Sequence, residues 1–185
     1  MKKIVFLFSL VLISSAVTAQ DKYFTKTGKI HFDATTSKSP ESIDGVNKSS
    51  ICVVDTKTGN IQFSLLMKGF EFERALMQEH FNENYVESNK YPKTEFKGTI
   101  TNNAAVNYSK DGVYPVKVKG KLSMHGETKD IEADGKLTVK AGKISANADF
   151  PVTLADFKVT IPSLVADKVA KIAKITVDCQ LEPLK

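Results

Sequence analysis

Between Lys117 and Lys140 apolar and polar residues alternate almost without exception. Val118, Gly120, Leu122 and Met124 take every second position of one arm, and Ile131, Ala133, Gly135, Leu137 and Val139 those of the next, with lysines, acids and hydroxyls between. A side-chain period of two marks strands with one wet face and one apolar face. The short break at Gly126-Glu127 predicts that the two arms form a hairpin.

The same rhythm recurs along most of the chain. A short strand is predicted around Lys29-Ile30-His31-Phe32, followed by a loop over 37–42 that holds Pro40. A second hairpin joins Val46–Asp55 to Asn60–Phe70 about Thr56-Lys57-Thr58-Gly59, and Phe63, Leu65 and Met67 fall on the apolar face of its second arm. Phe96, Gly98 and Ile100 share one face of 94–101. The longest alternating run is Ile144, Ala146, Ala148, Phe150, Val152 and Leu154, with 156–161 expected to continue it past a bulge. Residues 162–171 read as a loop or a short helix, and Ile175, Val177, Cys179 and Leu181 as the last strand.

The period changes only over 71–84, where Phe72, Leu76 and His80 fall on one i, i+4 row and Ala75 and Phe81 lie beside it. That spacing predicts one short helix between strands 3 and 4, stopped before Tyr91-Pro92. About eight long strands with turn signals between them predict an all-β, eight-stranded antiparallel barrel, because closure removes exposed edges.

If the barrel closes, its inward face decides what it can do. Gly98, Gly120, Ala133, Gly135, Ala146 and Ala148 put small residues midway along four consecutive strands. At one level they would line a hollow; the alternative is that glycines mark strand bends and large side chains opposite fill the space. The hollow reading gives a lumen lined by Phe63, Leu65, Met67, Phe72, Leu76, Phe81, Phe96, Gly98, Val118, Gly120, Leu122, Ala133, Leu137, Ala146, Ala148, Phe150 and Val152. Such a lumen selects an apolar or amphiphilic small molecule. At about 0.8 kcal/mol per buried methylene, a tail of roughly ten to twenty carbons supplies the binding energy.

Composition fixes the setting. The 185 residues are 42% hydrophobic and 25% charged, which suits one domain with a real core. The opening MKKIVFLFSLVLISSAVTAQ combines two lysines, an apolar run and the small-residue ending Ala16-Val17-Thr18-Ala19. It predicts a signal peptide over 1–19, a single barrel domain over 20–185 and a periplasmic or secreted location. No later segment reads as an integral membrane span. Loss of Lys2 and Lys3 would lower the net charge from +5 to +3. The remaining lysines alternate with acids, as on a solvated exterior and not as on a nucleic-acid surface. Nothing in the composition opposes a homodimer.

Candidate chemistry is sparse. His31, His80 and His125 have no ligand spacing and no supporting Cys or carboxylate pattern, so no metal site is predicted. No nucleophile elbow, P-loop, H-E-x-x-H or C-x-x-C occurs, and a binding protein, not an enzyme, is expected. An enzyme acting on the bound molecule, with His80 as acid or base, is the less favoured reading. Arg74, His80, Tyr85 and Tyr91 surround the helix and are the candidates for contacting a head group at the mouth. Cys52 and Cys179 sit in apolar strand runs. An oxidising compartment permits a bridge between them, and burial as two small hydrophobes is the alternative.

Three stretches together resemble one family. Phe72-Glu73-Arg74-Ala75-Leu76-Met77 through Lys90-Tyr91-Pro92-Lys93-Thr94-Glu95-Phe96 is similar to its helix and following strand start. Gly120-Lys121-Leu122-Ser123-Met124-His125-Gly126-Glu127-Thr128-Lys129 resembles its "G.L..HG.TK" hairpin, and Asp149-Phe150 through Asp156-Phe157 to Pro162 its late segment, with Lys158 where a glycine is common. The family is that of the YceI-like proteins. The resemblance implies a lipocalin-like barrel holding a polyprenyl lipid or isoprenoid quinone in an elongated cavity, with no other cofactor, and a turn-holding role for His125.

Overall fold

The computed structural model describes residues 21–184; the expected signal peptide lies outside the described residues. Its strands are β1 (Lys22–Thr35), β2 (Asp44–Asp55), β3 (Asn60–Leu66), β4 (Phe70–Phe72), β5 (Lys93–Ile100), β6 (Gly112–Met124), β7 (Glu127–Lys140), β8 (Lys143–Thr153) and β9 (Val169–Pro183). Pairing runs β1-β9-β8-β7-β6-β5-β3-β2, and β1 also pairs with β2, so eight strands close into an antiparallel barrel. β4 pairs with the start of β2, Gly45 facing Phe72 and Asn47 facing Phe70. It therefore extends the line of β3 after a single 3-10 turn at Met67–Gly69.

The first strand is much longer than the sequence pattern predicts. Its inward positions include Thr25 and Gly28, which break the apolar rhythm, and its register shifts twice against β2 between Thr25 and Ile30. Backbone pairing on both sides makes the strand in spite of weak alternation. The helix is shorter than expected. It spans Ala75–His80, continues as a wider turn over Phe81–Tyr85, and leaves Phe72 in β4, so Phe72, Leu76 and His80 do not form one helical row.

The remaining differences concern turns. Met124 faces Glu127 in the β6–β7 ladder, so His125 and Gly126 are the central residues of the hairpin, with φ of 52° and 79°. Two consecutive positive φ values suit the right-handed twist of the strands they join. After β8 the chain does not resume a strand. It makes a 3-10 turn at Leu154–Phe157, and Lys158 then takes a left-handed conformation with φ of 57°. The bend for which the family commonly uses glycine is thus kept by a lysine, at roughly 1–2 kcal/mol of backbone strain. Residues 162–171 contain one more 3-10 turn, Ser163–Val165, and then enter β9.

The core has two parts. One end of the barrel is solid, with Val54, Ile144, Leu181, Cys52 and Cys179 fully buried at its inner face. At the other end Ala34, Leu122, Val152, Leu154, Phe157, Val159, Val169 and Ala173 form a second cluster under the 154–168 segment. Between them the barrel is not filled.

Candidate functional site: the barrel lumen

A cavity of about 520 Å³ occupies the middle of the barrel. Its floor is the solid end, represented by Ile61, Ile100, Val116, Leu137 and Ala146. Ile30 and Phe32 of β1, Phe63 and Leu65 of β3, Phe96 of β5, Val118 and Leu122 of β6 and Ala148, Phe150 and Val152 of β8 line its walls. Strand alternation explains this: every second residue points inward, and the same residues are the apolar ones.

An aromatic group stands under the helix. The Phe81 ring lies 4.9 Å from that of Phe72, 5.4 Å from Phe70 and 5.5 Å from Phe32, in tilted or edge contacts. Such offsets are the favoured geometry of aromatic pairs. They hold the short helix over the lumen even though the helix itself buries none of its residues.

The mouth lies between the 40–43 loop, the helix and the 165–169 segment, with Pro40, Glu41, Arg74, Leu76, Met77, His80, Val165 and Lys168 at the cavity lining. Arg74 is exposed and forms an ion pair with Glu41 at 2.5 Å. Leu76 is 62% exposed, so its apolar surface faces outward as well as toward the cavity. Tyr85 lies deeper, half-buried, and loss of water around its hydroxyl raises its pKa.

Most of the sequence-predicted lining residues meet at this cavity: Phe63, Leu65, Met67, Phe72, Leu76, Phe81, Phe96, Val118, Leu122, Ala133, Leu137, Ala146, Ala148, Phe150 and Val152, together with Arg74, His80 and Tyr85. Three do not. Gly98 and Gly120 face each other as a ladder pair, and the ring of Phe96 covers both. Side chains built there would meet that ring at 2.6–2.7 Å, so the glycines receive an aromatic side chain and do not widen the lumen. Tyr91 lies against His125, with ring centroids 4.6 Å apart, at the outside of the β6–β7 turn.

Two of the three histidines are held by partners away from the cavity that His80 lines. His31 bonds Asp44 at 3.0 Å on the outer face. His125 is buried, its Nδ1 2.8 Å from the Phe157 carbonyl oxygen and its Nε2 2.9 Å from a Glu87 carboxylate oxygen. Both cysteines carry free thiols, and neither lines the cavity. The Cys179 thiol beside Cys52, together with burial, raises the Cys52 pKa well above the ordinary thiol range.

Sequence reasoning missed the contribution of β1, with Ile30, Phe32 and Ala34, and that of the 40–43 loop and Lys168. For β1 a signal existed in Ile30, Phe32 and Ala34 at alternate positions. For the loops there was none, since their place at the mouth follows from closure alone.

The family model of the YceI-like domain matches residues 8–181. The chain belongs to the YceI-like family. Proteins of known structure share its barrel at low sequence identity. A polyisoprenoid-binding domain from Saccharophagus degradans is 12% identical, with 90% of this chain and 100% of that one covered and a TM-score of 0.76. Burkholderia cenocepacia BcnA is 15% identical, with 83% and 95% covered and a TM-score of 0.67. A Campylobacter jejuni YceI protein is 14% identical, with 97% of each chain covered and a TM-score of 0.53. No curated protein matches the chain.

Proposed function

We propose that this YceI-like barrel binds an amphiphile with a long apolar tail, a polyisoprenoid or isoprenoid quinone, in its lumen and acts as a carrier or store for it in the periplasm or outside the cell. The observation that carries this reading is the 520 Å³ cavity, bounded by aliphatic and aromatic side chains and floored by a solid core. Emptiness of this kind costs packing energy, which an apolar guest restores. The structural likeness to the Saccharophagus degradans polyisoprenoid-binding domain and the family match support the same class of ligand. The leader-like first residues of the sequence support export.

Polar groups gather at the mouth, where Arg74 pairs with Glu41 and His80 and Lys168 line the same cavity, and the tail would lie inward of them. The role is binding and not turnover, because the side chains facing the middle of the lumen are hydrocarbon.

The test is organic extraction of the natively purified protein followed by mass spectrometry, with thermal melting in added quinones or polyprenols. An extracted prenyl lipid or a ligand-dependent rise in Tm is expected. Absence of both ends this reading. Ala148→Phe, which places a ring in the cavity from β8, separates it from a ligand-free interaction module: the variant should fold and lose ligand.

A further inference from the structure

The three segments that form the mouth are tied into one rim. The Thr36 hydroxyl donates to the Asp167 carbonyl oxygen at 3.0 Å, the Ser39 hydroxyl donates to that of Lys168 at 2.5 Å, and Lys38 pairs with the Asp167 carboxylate at 3.8 Å. Arg74, at the start of the helix, pairs with Glu41 of the same loop. The loop, the helix and the turn at Ser163–Val165 thus hold one another around the opening.

Apolar side chains stand outward on this rim. Leu164 is 89% exposed, the highest value of any large apolar side chain among the described residues, and Leu76 is 62% exposed. Leu164 adjoins Val165, which lines the cavity, and Leu76 lines it directly. Pro40, Ala75 and Pro162 are exposed beside them in the chain. Because Leu76 belongs to both surfaces, the apolar lining of the lumen runs out onto the rim.

The charges of the rim cancel. Lys38 with Asp167 and Arg74 with Glu41 are bound to each other, and Lys168 and Lys171 are balanced by Glu73 and Glu79. A partner recognised by its charge meets no net field here. What remains is exposed hydrocarbon, which an apolar partner takes out of water. A stable protein interface uses about 20–30 residues a side and favours aromatic anchors. The rim instead offers separate aliphatic tips around a hole, with no exposed aromatic ring on its loop, helix or turn. A bilayer requires only that such tips pass the head groups. It is also the medium that dissolves a molecule with a long apolar tail, and a mouth seated on it spares that tail a passage through water.

We propose that the rim around Leu76 and Leu164 is a membrane-contact surface. The two leucines enter the hydrocarbon of a lipid bilayer, seat the mouth on it, and let the guest pass between bilayer and lumen out of water. The exchange rests on the lumen-binding reading; the contact itself is measured without a guest.

The chain contains no tryptophan, so a single one introduced reports its own surroundings. Leu164→Trp is compared with Val113→Trp, which replaces a side chain 63% exposed at the opposite, solid end of the barrel, where β6 begins. Each variant is mixed with phosphatidylcholine vesicles carrying brominated acyl chains. Emission from position 164 should shift to the blue and be quenched in low and high salt alike, and emission from position 113 should do neither. No change at 164, or equal change at both positions, overturns the inference. So does a change that needs phosphatidylglycerol and vanishes in high salt, since charge would then be the attraction. A blue shift at 164 that appears without vesicles and grows with protein concentration means that a second copy covers the rim, and it overturns the inference as well.

Leu164→Asp alters a side chain too exposed to support the fold. It should weaken partition onto phosphatidylcholine vesicles about tenfold, the burial of one leucine, and slow solanesol transfer from those vesicles by a similar factor. Solanesol uptake from detergent micelles should be unchanged. Partition and transfer equal to those of the unaltered protein overturn the inference. Failure of the unaltered protein to take up solanesol from either source overturns the lumen reading, while the tryptophan emission still decides the contact.

Discussion

Gly98 and Gly120 stand opposite each other on β5 and β6 so closely that a Cβ on Gly120 would lie 2.5 Å from the Gly98 Cα and 2.4 Å from the Lys97 carbonyl oxygen. Both distances are below any real Cβ contact, and the atoms met are backbone. Gly120→Ala must therefore push the two strands apart. It should destabilise by about 1–3 kcal/mol and lower the denaturant midpoint at unchanged slope. An unaltered midpoint would mean that the strands have slack the structure does not show.

His125 is held at positive φ with both ring nitrogens occupied. His125→Ala leaves the Phe157 carbonyl without its donor and strips the Glu87 carboxylate of a partner, while the backbone strain remains. A loss of about 1–3 kcal/mol is expected from the orphaned groups. Equilibrium unfolding in urea measures it, and His125→Asn, whose side chain tolerates the left-handed region, should recover only the backbone part.

Lys158 gives the opposite sign. Its side chain pairs with Glu127 at the surface, where an exposed ion pair contributes little, but its φ of 57° is a cost to a residue with a Cβ. Lys158→Gly should gain roughly 0.5–1 kcal/mol net of the greater freedom of glycine in the unfolded chain. That is a Tm increase of about 1–4 °C for a domain of this size, and a decrease in the melting scan would refute the strain assignment.

Burial pushes the Tyr108 hydroxyl up to about 12, and the hydroxyl donates to Asn103 Oδ1 at 2.7 Å. The unfolded tyrosine loses its proton near pH 10 while the folded one keeps it, so the native state binds more protons over that interval. Stability must then fall as pH rises from about 10 to about 12. Tyr108→Phe should show a shallower decline of Tm across the same range than the unaltered protein. Parallel curves would place the alkaline loss elsewhere, among the lysines.

Both thiols are buried and free, with the Cys52 pKa raised. A neutral, water-excluded thiol is a poor nucleophile. A thiol reagent at neutral pH should label neither cysteine in the native protein and both after unfolding under non-reducing conditions. Recovery of one or no thiol after unfolding would show a bridge.

Much of this architecture was legible in the chain. The period-two pattern set strand identity and which residues face inward, so Phe63, Leu65, Val118, Leu122, Phe150 and Val152 could be placed before any coordinates. Their alternation reflects a partition between water and hydrocarbon that acts on each residue locally. The His125-Gly126 turn was legible as well, though shifted by one residue, because short connections confine the positive-φ sites. Gly98 and Gly120 do not line the hollow expected of them, whereas Gly135 does. Missing side chains look the same in sequence whether they open a space or admit a neighbour, and the Phe96 ring over Gly98 and Gly120 is a cross-strand fact.

By itself, then, the sequence determined that the chain makes long antiparallel strands with one apolar face, because burial and period are local properties of each segment. Tertiary structure decided where those faces leave a void, which loops meet at the mouth and where the β7–β8 ladder stops at Gly135 and Ala148. Those features depend on strand register, twist and closure, which arise only when residues distant in the chain compete for the same space.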